Sequence, residues 1–191
     1  VYNTFLGLEF GFNNSAVLNK IRQEYEASGS YSQRSSAWTT DLLFVCYCRD
    51  IARALANDPD NSQPTYLYQD LHSPSAYADP TNGHKQPICE KGAACHASDN
   101  VLAFGTEALL ANTTFTQLEK NISTAMINAY ATLVTRQAPI GQNATLGPFL
   151  PFGRQKERAL QWGQAGHVSG VGEGYRKGFC EFWEQLRQLR R

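Results

Sequence analysis

The sequence predicts an α/β polypeptide dominated by helices, with one or two sheet strands that do not by themselves make a complete open sheet. Three observations lead there. Two long segments repeat apolar residues at helical spacing, one short segment alternates in the manner of a strand, and no internal repeat is visible. With 191 residues the chain is about one domain long.

Taken in order, Phe5, Leu8 and Phe12, then Val17, Leu18, Ile21 and Tyr25, fall at near-helical spacing around the polar turn Asn13-Asn14-Ser15 and predict two short helices. Ala27 to Ser36, rich in Ser, Gly and Gln, reads as a loop. Thr40 or Asp41 can cap the helix that follows, DLLFVCYCRDIARALA, which stops near Pro59 because proline lacks the amide and clashes with the preceding turn. Thr65 to Leu71, TYLYQDL, alternates β-prone residues and leads into the turn-rich HSPSAYADPTNGHK, a strand entering a long loop. Thr116 and Glu119 form a capping-box pattern ahead of Leu118, Ile122, Ala125, Met126, Ala129, Tyr130 and Leu133, one face of a helix ending before Ala138-Pro139. Ala159 to Trp162 reads as a short strand. The glycines at 170, 172 and 174 read as a turn, and Tyr175 to Leu189 as a closing helix.

Charge excludes several classes. The 17 basic residues balance 17 acidic ones, so nothing marks the surface for a phosphate backbone or an anionic bilayer. No apolar run approaches the roughly 18 residues of a spanning helix. The opening residues VYNTFLGLEF lack the basic and apolar regions of a signal peptide, and the absence of an initiator Met suggests a mature form or a piece of something longer.

Five cysteines, at 46, 48, 89, 95 and 180, allow two bridges and one spare thiol. Four N-x-S/T sequons occur, at Asn13, Asn112, Asn121 and Asn143, where the Asn and Ser/Thr content gives about 1.6 by chance. Together they point to an oxidising, glycosylating compartment, either extracellular or in the secretory pathway. Cys89 and Cys95 flank a short loop and His96 follows at once. A bridge closing about seven residues adds only ~2 kcal/mol on the chain-entropy account, yet it fixes the backbone beside an imidazole able to take and return a proton.

The string CHASDNVLAFG resembles the histidine segment of the type-B carboxylesterases, the cholinesterase-like α/β-hydrolases. In order along the chain, TTDLLFVCYCRDIARALA is similar to that family's T-D-x-x-F-x-C-P-x-R helix, TYLYQDL to the strand after it, and FCEFWEQL to its closing Cys-x-Phe-Trp helix. The resemblance covers nearly all of residues 1–191. It implies the C-terminal portion of a single α/β-hydrolase domain. His96 would be the general base of a Ser-His-Glu/Asp triad, and Asp99 a supporting acidic residue. Cys46 and Cys180 would form the long disulfide, leaving Cys48 free and buried as a small apolar residue. The chain departs from the pattern at Ala97, where the family has Gly, at Asn100, where an apolar residue is usual, and at Tyr47, where Pro is common. The Ala97 methyl either crowds the substrate's approach or is harmless.

A triad also needs a nucleophile on a Gly-x-Ser-x-Gly elbow, and this sequence has none. Ser169 in GHVSG lacks the flanking glycines, and Glu9 in LEFGF is a poor match for the acidic member. The resemblance therefore implies that the serine, the acid and the oxyanion-hole amides come from a preceding N-terminal part of the same domain, the partner this segment needs. Expressed alone, the segment is expected to be inactive and poorly soluble. The whole protein would hydrolyse small-molecule carboxylic esters without metal or organic cofactor. The alternative is a cholinesterase-like extracellular adhesion module that has lost catalysis. A metal site drawn from Cys46, Cys48, Cys89, Cys95 and His96 fits zinc spacing poorly. The 170–174 glycines lack the strand and Lys-Ser/Thr of a phosphate cradle. The arginines of RQLRR suit a helix C-terminus.

Overall fold

The computed structural model describes residues 15–72, 74, 94–107, 114–139, 149–153, 156–163 and 166–188. The first predicted helix, with Phe5, Leu8 and Phe12, lies outside them, as do Glu9, Cys89, Asn13, Asn112 and Asn143. What is described is mostly helical with a three-stranded mixed sheet, a composition that a partial α/β fold would have. The chain divides into two compact units, residues 1–54 with 175–191, and residues 55–174.

In the first unit, α1 spans Ser15–Glu24 and a 3₁₀ turn spans Glu26–Ser28. Next comes α2, Tyr31–Thr40, which continues through a π-helical turn, Asp41–Val45, into α3, Cys46–Asn57, whose last residues cross into the second unit. Two expectations are corrected here. Most of the stretch from 27 to 36 is not loop: Gly29 turns the chain at φ 99° and Ser30 caps α2. Ser30 Oγ accepts from Gln33 N–H at 3.4 Å, and Gln33 Oε1 accepts from Ser30 N–H at 2.7 Å. This is a capping box of Ser and Gln buried in a polar string that shows no apolar stripe. Thr40 and Asp41 cap nothing, because both lie within continuous helix.

Asp41 is instead the buried centre of a network, 1% exposed. Its carboxylate accepts from Tyr25 Oη–H at 2.8 Å and from both Nε–H (2.8 Å) and Nη2–H of Arg176. Trp183 Nε1–H in turn donates to Tyr25 Oη at 2.7 Å. A two-pronged arginine and a phenol satisfy a carboxylate that would otherwise be ruinous to bury. Around it pack Ile21, Trp38, Leu42, Trp183 and Leu186, the last two from α6, Lys177–Gln188. The Cys46–Cys180 disulfide is present and joins α3 to α6. Cys48 is free, but it is exposed and not buried as expected: α3 turns Cys46 inward, and a residue two further on points away.

The second unit holds β1, Tyr68–Asp70, then α4, Ser98–Ala103, α5, Gln117–Arg136, β2, Arg158–Trp162, and β3, Ser169–Glu173. The sheet order is β1-β2-β3. β1 runs parallel to β2, with Tyr68 opposite Leu160, and β3 returns antiparallel, with Ala159 opposite Gly172. The capping box at the start of α5 forms as its sequence predicts: Thr116 Oγ1 accepts from Glu119 N–H at 3.3 Å, and Glu119 Oε2 from Thr116 N–H at 2.6 Å. Ile122, Ala125, Met126 and Ala129 of its apolar face pack with Leu102, Leu160 and Trp162, while Leu133 remains 38% exposed. The glycines at 170 and 172 form a strand and not a turn. Gly172 leaves room for the Gln161 carboxamide: a Cβ there would meet it at 2.6 Å and push that side chain aside.

Candidate functional site

β1 is three residues long, and its side chains alternate faces, so Tyr68 and Asp70 project to the same side. Both reach the start of α4, where they meet two consecutive residues. Tyr68 Oη–H donates to Asp99 Oδ2 at 3.1 Å, and Ser98 Oγ lies 3.4 Å from Asp70 Oδ2. His96 is borne on the turn immediately before, two residues ahead of Ser98, and is exposed. The turn is closed locally as well: Ser98 Oγ donates to the Cys95 carbonyl at 2.8 Å and accepts from the Cys95 N–H at 3.2 Å. Cys95 is disulfide-bonded, while Cys89 is outside the described residues.

Between His96 and Ser98 the chain must reverse, and Ala97 does so at φ 63° and ψ 11°. That left-handed conformation suits glycine and costs an L-residue about 1 kcal/mol. The Gly-to-Ala departure read from the sequence is thus first of all a backbone matter.

Electrostatics concentrate on the same spot. Burial, helped by the neighbouring Asp99 charge, pushes the Asp70 carboxyl up to about 7, against the opposing hydrogen bonds from His72 N–H, Ser98 and Leu71 N–H. The phenols of Tyr68 and Tyr130 are both raised, chiefly by burial, and their rings meet edge-on at 6.1 Å. Two carboxylates and two phenols therefore crowd the base of the His96 turn.

The remaining site residues are placed as follows. Asn121 is exposed on α5, its Oδ1 accepting from Gln117 Nε2–H at 3.0 Å. Ser169 opens β3 opposite Trp162, in a hairpin and not at the strand-to-helix elbow a nucleophile occupies; its hydroxyl is buried. Cys46, spent in a disulfide, is no metal ligand, and among the described residues no three His, Cys, Asp or Glu side chains gather as a metal set. No described helix is long and apolar enough to cross a membrane.

Sequence reasoning missed a second histidine. His72, just beyond β1, lies 3.2 Å through Nε2 from Glu119 Oε1, and Glu119 is 1% exposed. Since the other oxygen of Glu119 closes the capping box, the pair fastens the chain after β1 to the first turn of α5. The only hint in the sequence is that Glu119 is already committed to a cap.

Sequence comparison adds no relative: no protein-family model matches this chain, and neither does any curated protein.

Proposed function

We propose that this chain is part of a secreted serine carboxylic-ester hydrolase in which His96 is the general base, taking the proton of a serine and returning it to the leaving alcohol. One observation carries the reading. The His96 turn is docked on the C-terminal end of a strand that runs parallel to its neighbour, the end at which open α/β sheets assemble their sites. The four ordered sequence resemblances point the same way. Exposure of the ring suits this role, since a base must meet a nucleophile and substrate that the described residues do not supply. Asp99 is turned toward Tyr68 and supports the turn from below; the acid that orients the imidazole comes from elsewhere. The Cys46–Cys180 bridge and the exposed sequon at Asn121 accord with an oxidising, glycosylating compartment.

Replacing His96 with Ala in the complete polypeptide tests this. Turnover of a p-nitrophenyl ester should fall by a factor of about a thousand or more while the thermal melt is unchanged. A near-normal rate would remove His96 from the mechanism. An upstream sequence without serine at the elbow position would move the protein to the adhesion class.

A further inference from the structure

Ser98 presents a proton-counting problem. Its hydroxyl carries one hydrogen, and the nearer acceptor for it is the Cys95 carbonyl, 2.8 Å from Ser98 Oγ. Asp70 Oδ2, at 3.4 Å, is the more distant acceptor, and the Cys95 N–H already donates to the same Ser98 oxygen. Ionised, Asp70 can bond Ser98 only by drawing the Ser98 hydroxyl hydrogen away from the Cys95 carbonyl. Protonated, it can donate to the free lone pair of Ser98 Oγ, leaving both Cys95 bonds intact. Its other oxygen, Oδ1, accepts from His72 N–H at 3.3 Å in either state.

We propose that Asp70 is a positioning residue for His96: its protonated carboxyl clamps the Cys95–Ser98 turn to the end of β1, and its ionisation loosens that turn.

The surroundings favour the neutral form. From α4, Asp99 brings a second carboxylate. From α5 comes the Tyr130 phenol, and from β1 itself Tyr68. After β1 comes His72, whose ring is turned to Glu119, and β2 sets the apolar Trp162 beside Asp70 in the sheet. The raised carboxyl, at about 7, places the change where enzymes commonly work. The proposal rests on the esterase reading only for its catalytic consequence: loss of the clamp would produce an alkaline decline in turnover.

The test is a titration of the complete polypeptide, with carboxyl-labelled aspartate and labelled backbone amides, by NMR from pH 5 to 9 in a His96→Gln background, which leaves no ionisable ring on the turn. The Asp70 carboxyl carbon should titrate near pH 7. The Cys95 and Ser98 amide shifts should follow it, and exchange of these amides should rise about tenfold beyond its intrinsic pH dependence. Asp70→Asn, whose Nδ2–H donates to Ser98 while its oxygen still accepts from His72, should hold the turn at every pH and abolish the step. Asp70→Ala should leave it loose throughout. A carboxyl midpoint near 4, or an amide step that survives in Asp70→Asn, overturns the clamp. In the complete polypeptide with His96 restored, Asp70→Asn should lift the alkaline limb of the pH–rate profile. Absent ester turnover, with the NMR step present, would refute the esterase reading and leave the clamp standing.

Discussion

At the level of single residues, Asp70 makes stability depend on pH in a direction unusual for an aspartate. Its ordinary value is 3.8, and in the folded chain it is about 7. Between those values the folded state holds a proton that the unfolded chain has released, so folding weakens as pH rises. The contribution is intact below about pH 4 and lost above about 7. Allowing for its partial exposure, the loss is about 2 kcal/mol. Urea melts at pH 5 and pH 8, which take in about two of the three pH units over which the loss accumulates, should differ by a little over 1 kcal/mol, and Asp70→Asn should bring them together. Asp41, also a buried carboxylate, is held by an arginine that donates to it through both Nε–H and Nη2–H. Ala97, two residues before Asp99, shows a smaller cost of the same kind, a methyl group carried at positive φ.

At the level of elements, what the sequence discloses depends on whether a side-chain pattern has one physical cause. The α5 capping box and apolar face were legible because burial alone dictates that spacing. β1 and β2 were legible from alternation and apolar content, although β1 is only three residues long because the ladder ends where the chain turns toward His72. α2 was not legible: its polar string buries little beyond Trp38, and its start is set by hydrogen bonds between Ser30 and Gln33. β3 was hidden because its glycines answer to a neighbour. The Gln161 side chain lies across Gly172, with its Nε2–H bonded to Gln69 Oε1 at 3.0 Å. Gly172→Ala should therefore displace a buried amide and cost about 1 kcal/mol, lowering the melting temperature by a few degrees without altering the far-ultraviolet spectrum. Of the candidate site, His96 and its cysteine were visible as a local string. The reach of Tyr68 and Asp70 to residues 98 and 99 was not, since it spans about 30 positions that no local periodicity links.

At the level of the whole molecule, the long disulfide outweighs every local device. Cys46 and Cys180 are 134 residues apart, and closing a loop of that length restricts the unfolded chain by about 5 kcal/mol on the entropy account. Replacing both by Ala should lower the unfolding free energy by that order, read as a displaced urea midpoint together with a steeper transition, because the unfolded chain then expands further. The bridge also sits in the core with Trp38 and Trp183, so part of the loss would be a packing defect.

That crosslink also governs what happens when the backbone is severed. A protease cutting once anywhere from residue 47 to 179 leaves an amino-terminal and a carboxyl-terminal piece that cannot drift apart, and on a gel they migrate as one species until a reductant is added. Any one loop in that interval can be nicked without the molecule shedding mass, whereas a second cut would release the stretch between the two.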